Sequence, residues 1–465
     1  MRVLGKNWGV VGQLPTRKVT AWDAPCRGKV WLQPTVGLAV LIASVSFGLG
    51  FAQGEVLDAG LQALAAAPPF CPPLPKDPAK PTVQIKSGSV RALRAAAADS
   101  PPGTQLLLED GTYRLDPHEA VIVEAPDLTI RSLSGNRDAV VITGGDINVT
   151  VYASGLTIAD LTLANPVYHN VQVHGELGVS HTRIYNVHAL DAGQQLIKVS
   201  TGEGTSGKFA DDGLVACSLI EYTTFSRGTA NSAPSYTNGV DVLAGKGWMI
   251  RDNVFRRIRS EQGPTGPAIL VWRNAQDTVV IRNKLIDCWR GIALGLSPPD
   301  AYSRGGAGVT YDHQNGLVAN NVFLALHEPA DAAIENNFAH NSRILHNTVY
   351  YRQGLSHAVP WSIEYRFPPT TAVIRNNLTN QPVLKRPPLP VASSIIEGNI
   401  EKAKAAWFRD VMQEDLHLVA GAAAIDAGVS ADGIGLDIEG VKRPVGKAPD
   451  AGAYEFTSSA GGAAR

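Results

Sequence analysis

Cysteine is scarce and badly spaced for chemistry. The 465-residue chain carries four (Cys26, Cys71, Cys217, Cys288), none near another, which leaves no zinc-ribbon or CxxC redox motif. A disulfide is allowed if the chain is exported, but sequence does not say between which residues. A charge excess is missing too. Lys and Arg number 41 against 42 Asp and Glu, so the clustered basic footprint of a nucleic-acid binder is absent and no such partner is expected. Long apolar runs are absent apart from residues 36–52, "VGLAVLIASVSFGLGFA". That run is near the lower limit for spanning a bilayer. Arg27 and Lys29 precede it, and Gly50 and Ala52 sit at the −3 and −1 positions for cleavage before Gln53. Residues 1–52 therefore read as a signal peptide with a long amino-terminal extension, leaving no membrane span in the mature chain.

What is present is glycine, at 46 residues, and asparagine in a recurring context. A Pro/Ala-rich linker (53–82) holds "AAAPPFCPPLPKDPAKP", which is not expected to pack as a core. "SVRALRAAAADSPPGT" reads as a short helix that Ser89 can cap and Pro101–Pro102–Gly103 stop. "QLLLEDGTYRL" then gives a strand, a tight turn and a strand. One pattern recurs afterwards, as "TRIYNVHAL", "WMIRDNVFRRI", "VVIRNKLIDC", "GLVANNVFLA", "SRILHNTVYY" and "AVIRNNLTN". Its asparagines (186, 253, 283, 321, 347, 377) are 67, 30, 38, 26 and 30 residues apart, with one degenerate unit around "LVACSLIEYTTF". Units this short, built of strands and turn asparagines, stack as a solenoid with no room for helix pairs. The expectation is an all-β, single-stranded parallel β-helix over residues 83–456. A helix at 87–100 would plug one open end, and 457–465 would form a disordered tail. A monomer is expected.

Aligning one strand per coil on its buried apolar residue gives "VQVHG", "IKVS", "VDVL", "ILVWR", "IALG", "IENN" and "IEYR". Outward positions alternate with inward ones. The first outward column reads Gln172, Lys198, Asp241, Leu270, Ala293, Glu335, Glu364. The second reads His174, Ser200, Leu243, Trp272, Gly295, Asn337, Arg366. Outward polar residues are ordinary on a strand, and a surface Lys–Asp pair contributes under about 1 kcal/mol. Gln, His, Lys and Asp converging on three aligned strands is less ordinary. Inserts at 201–213, 227–239 and 296–316 leave the ends of these strands or lead into one, where binding walls are built. Lys246, Arg273 and His313 lie near those junctions, although His313 suits a turn equally well. The stacked asparagines are assigned to structure.

The helix with "PPGTQLLLEDGTYRL", together with the ending "DLHLVAGAAAIDAGV…DIEGVKRPVGKAPDAGAYEF" (415–456), resembles the right-handed parallel β-helix superfamily of pectin-lyase-like proteins. The relatives it suggests are bacterial β-helix repeat proteins and polysaccharide lyases of the alginate lyase and chondroitinase B type. The resemblance implies a periplasmic or secreted bacterial protein acting on an acidic, uronate-containing polysaccharide by β-elimination or C5 epimerisation. A base must then take the proton α to the uronate carboxyl, and a positive group must neutralise that carboxylate. Lys198 is the expected base, with His174 or Lys246 as alternates, and Arg273 or Arg366 the neutraliser. Gln172, Trp272, Arg366 and His313 would bind substrate. The resemblance also suggests Ca²⁺, for which Asp241, Glu335 and Glu364 offer hard oxygen ligands. Two alternatives stand: a glycoside hydrolase using Glu335 and Glu364, and a glycan- or wall-binding solenoid without catalysis.

Overall fold

The computed structural model describes residues 68–223, 237–260, 264–430 and 433–458. The expected signal peptide, the first half of the linker, most of the 227–239 insert and most of the tail lie outside these residues. Every pair of named strands is parallel except Phe408–Asp410 with Asp415–Leu418. Each strand pairs with its counterpart one coil away, as Ile197 does with Val171 on one side and Val240 on the other. This is a right-handed parallel β-helix.

The residues that make it a stack are the inward ones. Val171, Ile197, Val240, Ile269, Ile292, Ile334 and Ile363 pile one above another at 2% exposure or less. β-Branched side chains suit a pleated, buried strand. Fully burying each contributes about 1.5–3 kcal/mol before entropy is counted.

At one corner of the coils a single residue in the left-handed region turns the chain. The stack Asp160, Asn186, Cys217, Asp252, Arg282, Asn320, His346 and Asn376 has φ between 51° and 58°. Next to it runs the asparagine ladder. The Oδ1 of Asn283 accepts from both the backbone N–H and the Nδ2 of Asn253, at 3.1 and 3.0 Å. The same double contact repeats through Asn321, Asn347, Asn377 and Asn399. Asn186 is not part of it. It occupies the left-handed corner, and the ladder position of its coil is held by the next residue, Val187, whose N–H donates to Ser218 Oγ at 3.1 Å. Ser218 is the ladder residue of the degenerate coil, its own N–H donating to Asn253.

Helix α1 (Val90–Asp99) buries Leu93 and Ala97. It lies against Val121–Val123, the edge strand of a ten-stranded sheet, with Glu124 N–H donating to Ala97 O at 3.3 Å. Ser89 stands at its N-cap but makes no side-chain capping bond.

Residues 68–81 stay outside the core, each exposed or half-buried, but they are tied to the coils. Cys71 is disulfide-bonded to Cys217, 146 residues on. Tyr185 Oη donates to Pro72 O at 2.6 Å, Arg131 to Leu74 O and Pro75 O, and Arg251 to Phe70 O. The Arg282 guanidinium lies 3.9 Å over the Phe70 ring. Prolines lack N–H donors, so this segment cannot join a sheet, but its carbonyls remain acceptors. Arginine and tyrosine side chains from the coils supply the donors.

Candidate functional site

The ten-stranded sheet carries every aligned strand of the sequence argument. In chain order its members are β1 (Val121–Val123), β2 (Ile147–Val151), β3 (His169–His174), β4 (Ile197–Ser200), β5 (Val240–Leu243), β6 (Pro267–Trp272), β7 (Arg290–Leu294), β8 (Ile334–Asn337), β9 (Ile363–Arg366) and β10 (Val383–Arg386). The register places Thr150, Gln172, Lys198, Asp241, Leu270, Ala293, Glu335 and Glu364 in one outward column. The second column pairs His174 with Ser200, Leu243 with Trp272, and Asn337 with Arg366.

Outward does not mean solvated here. Lys198 is 7% exposed and Asp241 0%. The Lys198 ammonium donates to Asp241 Oδ2 at 2.5 Å, and Trp272 Nε1 donates to Oδ1 at 2.9 Å. An ion pair so dry is held by geometry and hydrogen bonds, and breaking it leaves an uncompensated charge. Lys198 is thus committed to a carboxylate. That contact holds its ammonium in one place.

One strand away, His174 is better furnished for proton transfer. Its Nδ1 meets Glu176 Oε1 at 2.6 Å and its Nε2 meets Thr150 Oγ1 at 2.9 Å. Tyr152 packs on the ring, with centroids 4.5 Å apart. Ser200 Oγ donates to the other Glu176 oxygen at 2.6 Å. Burial would raise the Glu176 carboxyl, but the bonds from His174 and Ser200 outweigh it and hold the group down at about 2. A permanent carboxylate orients the imidazole through Nδ1.

The walls come from the inserts. Gly204 N–H donates to Ala301 O and Gly305 N–H to Gly204 O, each at 2.8 Å, joining the 201–213 and 296–316 segments. Arg304 locks the junction. It pairs with Asp211, donates to Ala244 O at 2.8 Å and covers the Phe209 ring at 3.9 Å. Arg273 lies between the rings of Trp272 and Tyr302, at 4.7 and 4.9 Å, and pairs with Asp300 at 3.3 Å.

A second polar patch occupies β8 and β9. Glu335 is register-paired with Glu364. Glu364 pairs with Arg386, whose guanidinium lies 4.6 Å over Trp361. Arg290 pairs with Asp331 at 2.7 Å and approaches Glu335 at 3.8 Å. Burial pushes the Glu335 carboxyl up to about 7. Arg290 pulls against this, and the neighbouring Glu364 and Asp331 add to it.

Several sequence expectations need correction. Lys246 belongs to a neighbouring edge, bridged to Gln276 and 3.6 Å from Asp277, so it does not face His174 or Lys198 across this sheet. His313 is fully buried on the small sheet formed with Ala275–Gln276 and Ala339–His340, bonded to Thr278, and cannot line a wall. Burial drives its imidazole down to about 3. Asp241 lies three coil steps from Glu335, about 14 Å at the usual strand spacing, with Leu270 and Ala293 between. Asp241, Glu335 and Glu364 therefore cannot share one Ca²⁺. Each also already meets a cation, Lys198, Arg290 or Arg386. The only cluster of metal-binding side chains among the described residues includes the disulfide sulfurs of Cys71 and Cys217.

Sequence reasoning missed Thr150, Glu176, Arg304, Arg290, Trp361 and Arg386. Thr150 was legible in principle, since "INVTV" extends the same column one coil back. Glu176 and Arg304 sit in turns and inserts, where no periodicity locates a side chain.

Taken together, the parallel coils, the stacked aliphatic column and the loop-walled sheet define a parallel β-helix protein. No protein-family model and no curated protein sequence matches the chain. Among solved structures it resembles pectate lyase Pel9A, with a TM-score of 0.55 at 14% identity over 82% of this chain and 98% of that one. An alginate lyase from Paenibacillus sp. str. FPU-7 (TM-score 0.37, 15% identity, 59% and 96% covered) and a rhamnogalacturonan lyase (0.40, 9%, 68% and 85%) resemble it more loosely. The likeness is one of fold. No described helix is long and apolar enough to cross a membrane.

Proposed function

We propose that the chain is an exported enzyme acting on a uronate-containing polysaccharide laid along the ten-stranded sheet, by removal of the proton α to a uronate carboxyl. His174 is the base and Lys198 the cation that meets the substrate carboxylate. The observation that carries this reading is the juxtaposition of two differently furnished groups on register-paired strands. The imidazole is oriented by Glu176, and the ammonium is pinned by Asp241. Neutralising the carboxylate stabilises the developing carbanion, and an oriented base contributes typically 10²–10⁴-fold. Departure of the 4-linked sugar gives elimination, and reprotonation from the opposite face gives C5 epimerisation. The Trp272–Arg273–Tyr302 sandwich offers aromatic faces and a cation for a neighbouring sugar.

The likeness in fold to a pectate lyase supports this substrate class. The Cys71–Cys217 bridge supports export, because structural disulfides persist in oxidising compartments. Hydrolysis at Glu335 and Glu364 fits less well, since Glu364 is 1% exposed beneath Arg386.

The test is ultraviolet absorbance of unsaturated uronate products. Protein lacking residues 1–52 is incubated with pectate, alginate and chondroitin. Absorbance should rise on one polymer and fall 10²–10⁴-fold in His174→Ala with little change in thermal unfolding, because His174 is partly exposed. Equal rates in His174→Ala and the parent would remove His174 as the base. A flat trace together with no proton exchange from solvent at C5 would overturn proton abstraction.

A further inference from the structure

The β8–β9 patch has a property that the first lacks: unpaired buried polar atoms of both kinds. Glu335 Oε2 and Asn337 Oδ1 are acceptors without partners, and Trp361 Nε1 and Arg366 Nε are donors without partners. Glu335 and Asn337 are 5% and 6% exposed. Register sets Glu335 beside Glu364 and Asn337 beside Arg366 on the outward face, and Arg386 ties Glu364 to Trp361. Trp361 and Arg366 reach the surface. Buried groups left this way are costly, so each such group calls for an explanation.

We infer that this patch is a saccharide-binding subsite, taking a hydroxyl-rich sugar unit of the same polymer four coil steps from Lys198. A sugar hydroxyl donates and accepts at once, which matches a set of two idle acceptors and two idle donors. An isolated anion would find no use for the acceptors, and a cation none for the donors. The charged side chains around it, Arg290, Arg366 and Arg386 against Asp331, Glu335 and Glu364, balance when all are ionised. The patch thus neither attracts nor repels strongly by charge. Four coil steps put the patch about 19 Å from Lys198 at the usual strand spacing. Only chains long enough to span it would touch both patches. The inference rests on the polymer lying along this sheet, as proposed above.

The experiment is calorimetric titration of the His174→Ala protein with oligogalacturonates and oligoalginates of defined length, some shorter and some longer than that span. Long chains should bind at least tenfold tighter than short ones. The preference should collapse in Trp361→Phe, which deletes one unpartnered N–H and keeps the ring, and in Arg366→Gln. Glu335→Gln, whose amide still donates and accepts, should keep it, and Glu335→Leu should lose it. A length preference untouched by Trp361→Phe and Arg366→Gln overturns the inference while leaving the proton-abstraction reading intact. Long chains that bind and respond to these variants, while the parent protein neither releases unsaturated product nor exchanges the C5 proton with solvent, keep the subsite and overturn that reading instead. Absence of binding at every length removes both.

Discussion

The two polar patches share a sheet, a register and a fold environment, yet they are built on opposite electrostatic plans. On β3–β5 a cation stacks on an anion, Asp241 holding the Lys198 ammonium on one carboxylate oxygen and the Trp272 indole N–H on the other. On β8–β9 a carboxylate stacks on a carboxylate. Arg386 attends Glu364, while Arg290 divides itself between Asp331 and Glu335. Leu270 and Ala293 separate the two. The same column position, one coil step after another, holds a hydrogen-bonded ion pair, an apolar gap and a frustrated acidic pair. Position in the solenoid fixes which side chains meet. Their charges decide whether the meeting is satisfied.

The sharpest way to break this comparison is Lys198→Ala. Deleting one partner of a buried pair leaves Asp241 charged in a dry site, and the loss should be about 3–5 kcal/mol of folding stability, measured by denaturant unfolding. Replacing both Lys198 and Asp241 with leucine should recover most of it, because no orphaned charge remains. If Lys198→Ala unfolds like the parent, the pair is not the dry, structural contact described.

The second patch should respond to pH in a window where the first does not. The folded-state value of Glu335, about 7, exceeds the ordinary carboxylate value of about 4.3. The folded protein therefore holds this proton more tightly than the unfolded chain. The contribution is fully present below about pH 4 and is lost as pH rises through about 7. Glu335→Gln should remove roughly 1–3 kcal/mol of that decline, making the variant more stable than the parent at pH 8 and about equal at pH 4.5. Superimposable pH profiles of thermal unfolding for the two proteins would contradict the frustrated pair.

The smallest effect expected concerns the walls, which serve the first patch. A Cβ on Gly204 would lie 1.7 Å from Ser303 O. Gly204→Ala should therefore part the two inserts and free Arg273 and Tyr302 to move. The expected result is a several-fold rise in KM with kcat within about twofold, and a length preference at β8–β9 that is unchanged. A fall in kcat with KM constant would assign the inserts to the chemistry instead.

Periodicity alone made the stack legible. Alternation placed Val and Ile inward and the Gln172–Lys198–Asp241 column outward, and that column's register is the one observed. The reason is physical: a parallel coil with one dry face tolerates no one-residue slip, because a slip would turn every aliphatic residue to the wrong side. The turn asparagines were legible for the same reason, although Asn186 was assigned to the wrong turn position. A one-residue offset between the left-handed corner and the ladder is invisible in a string of letters.

What only the tertiary structure decided is the state of each outward residue. Alternation says that Lys198 points away from the core, but not that inserts and neighbouring side chains bury it against Asp241. It cannot separate Asp241 from Glu335 by an apolar gap that forbids a shared ion, nor bring Glu176 from a turn onto His174. It also gave no hint that the proline-rich 68–81 segment is riveted to the coils through Cys71 and Cys217. Period and polarity are local properties of the chain and determine the fold. Hydrogen bonding, burial and charge pairing depend largely on residues far apart in the chain, and those the fold must bring together before chemistry can be read.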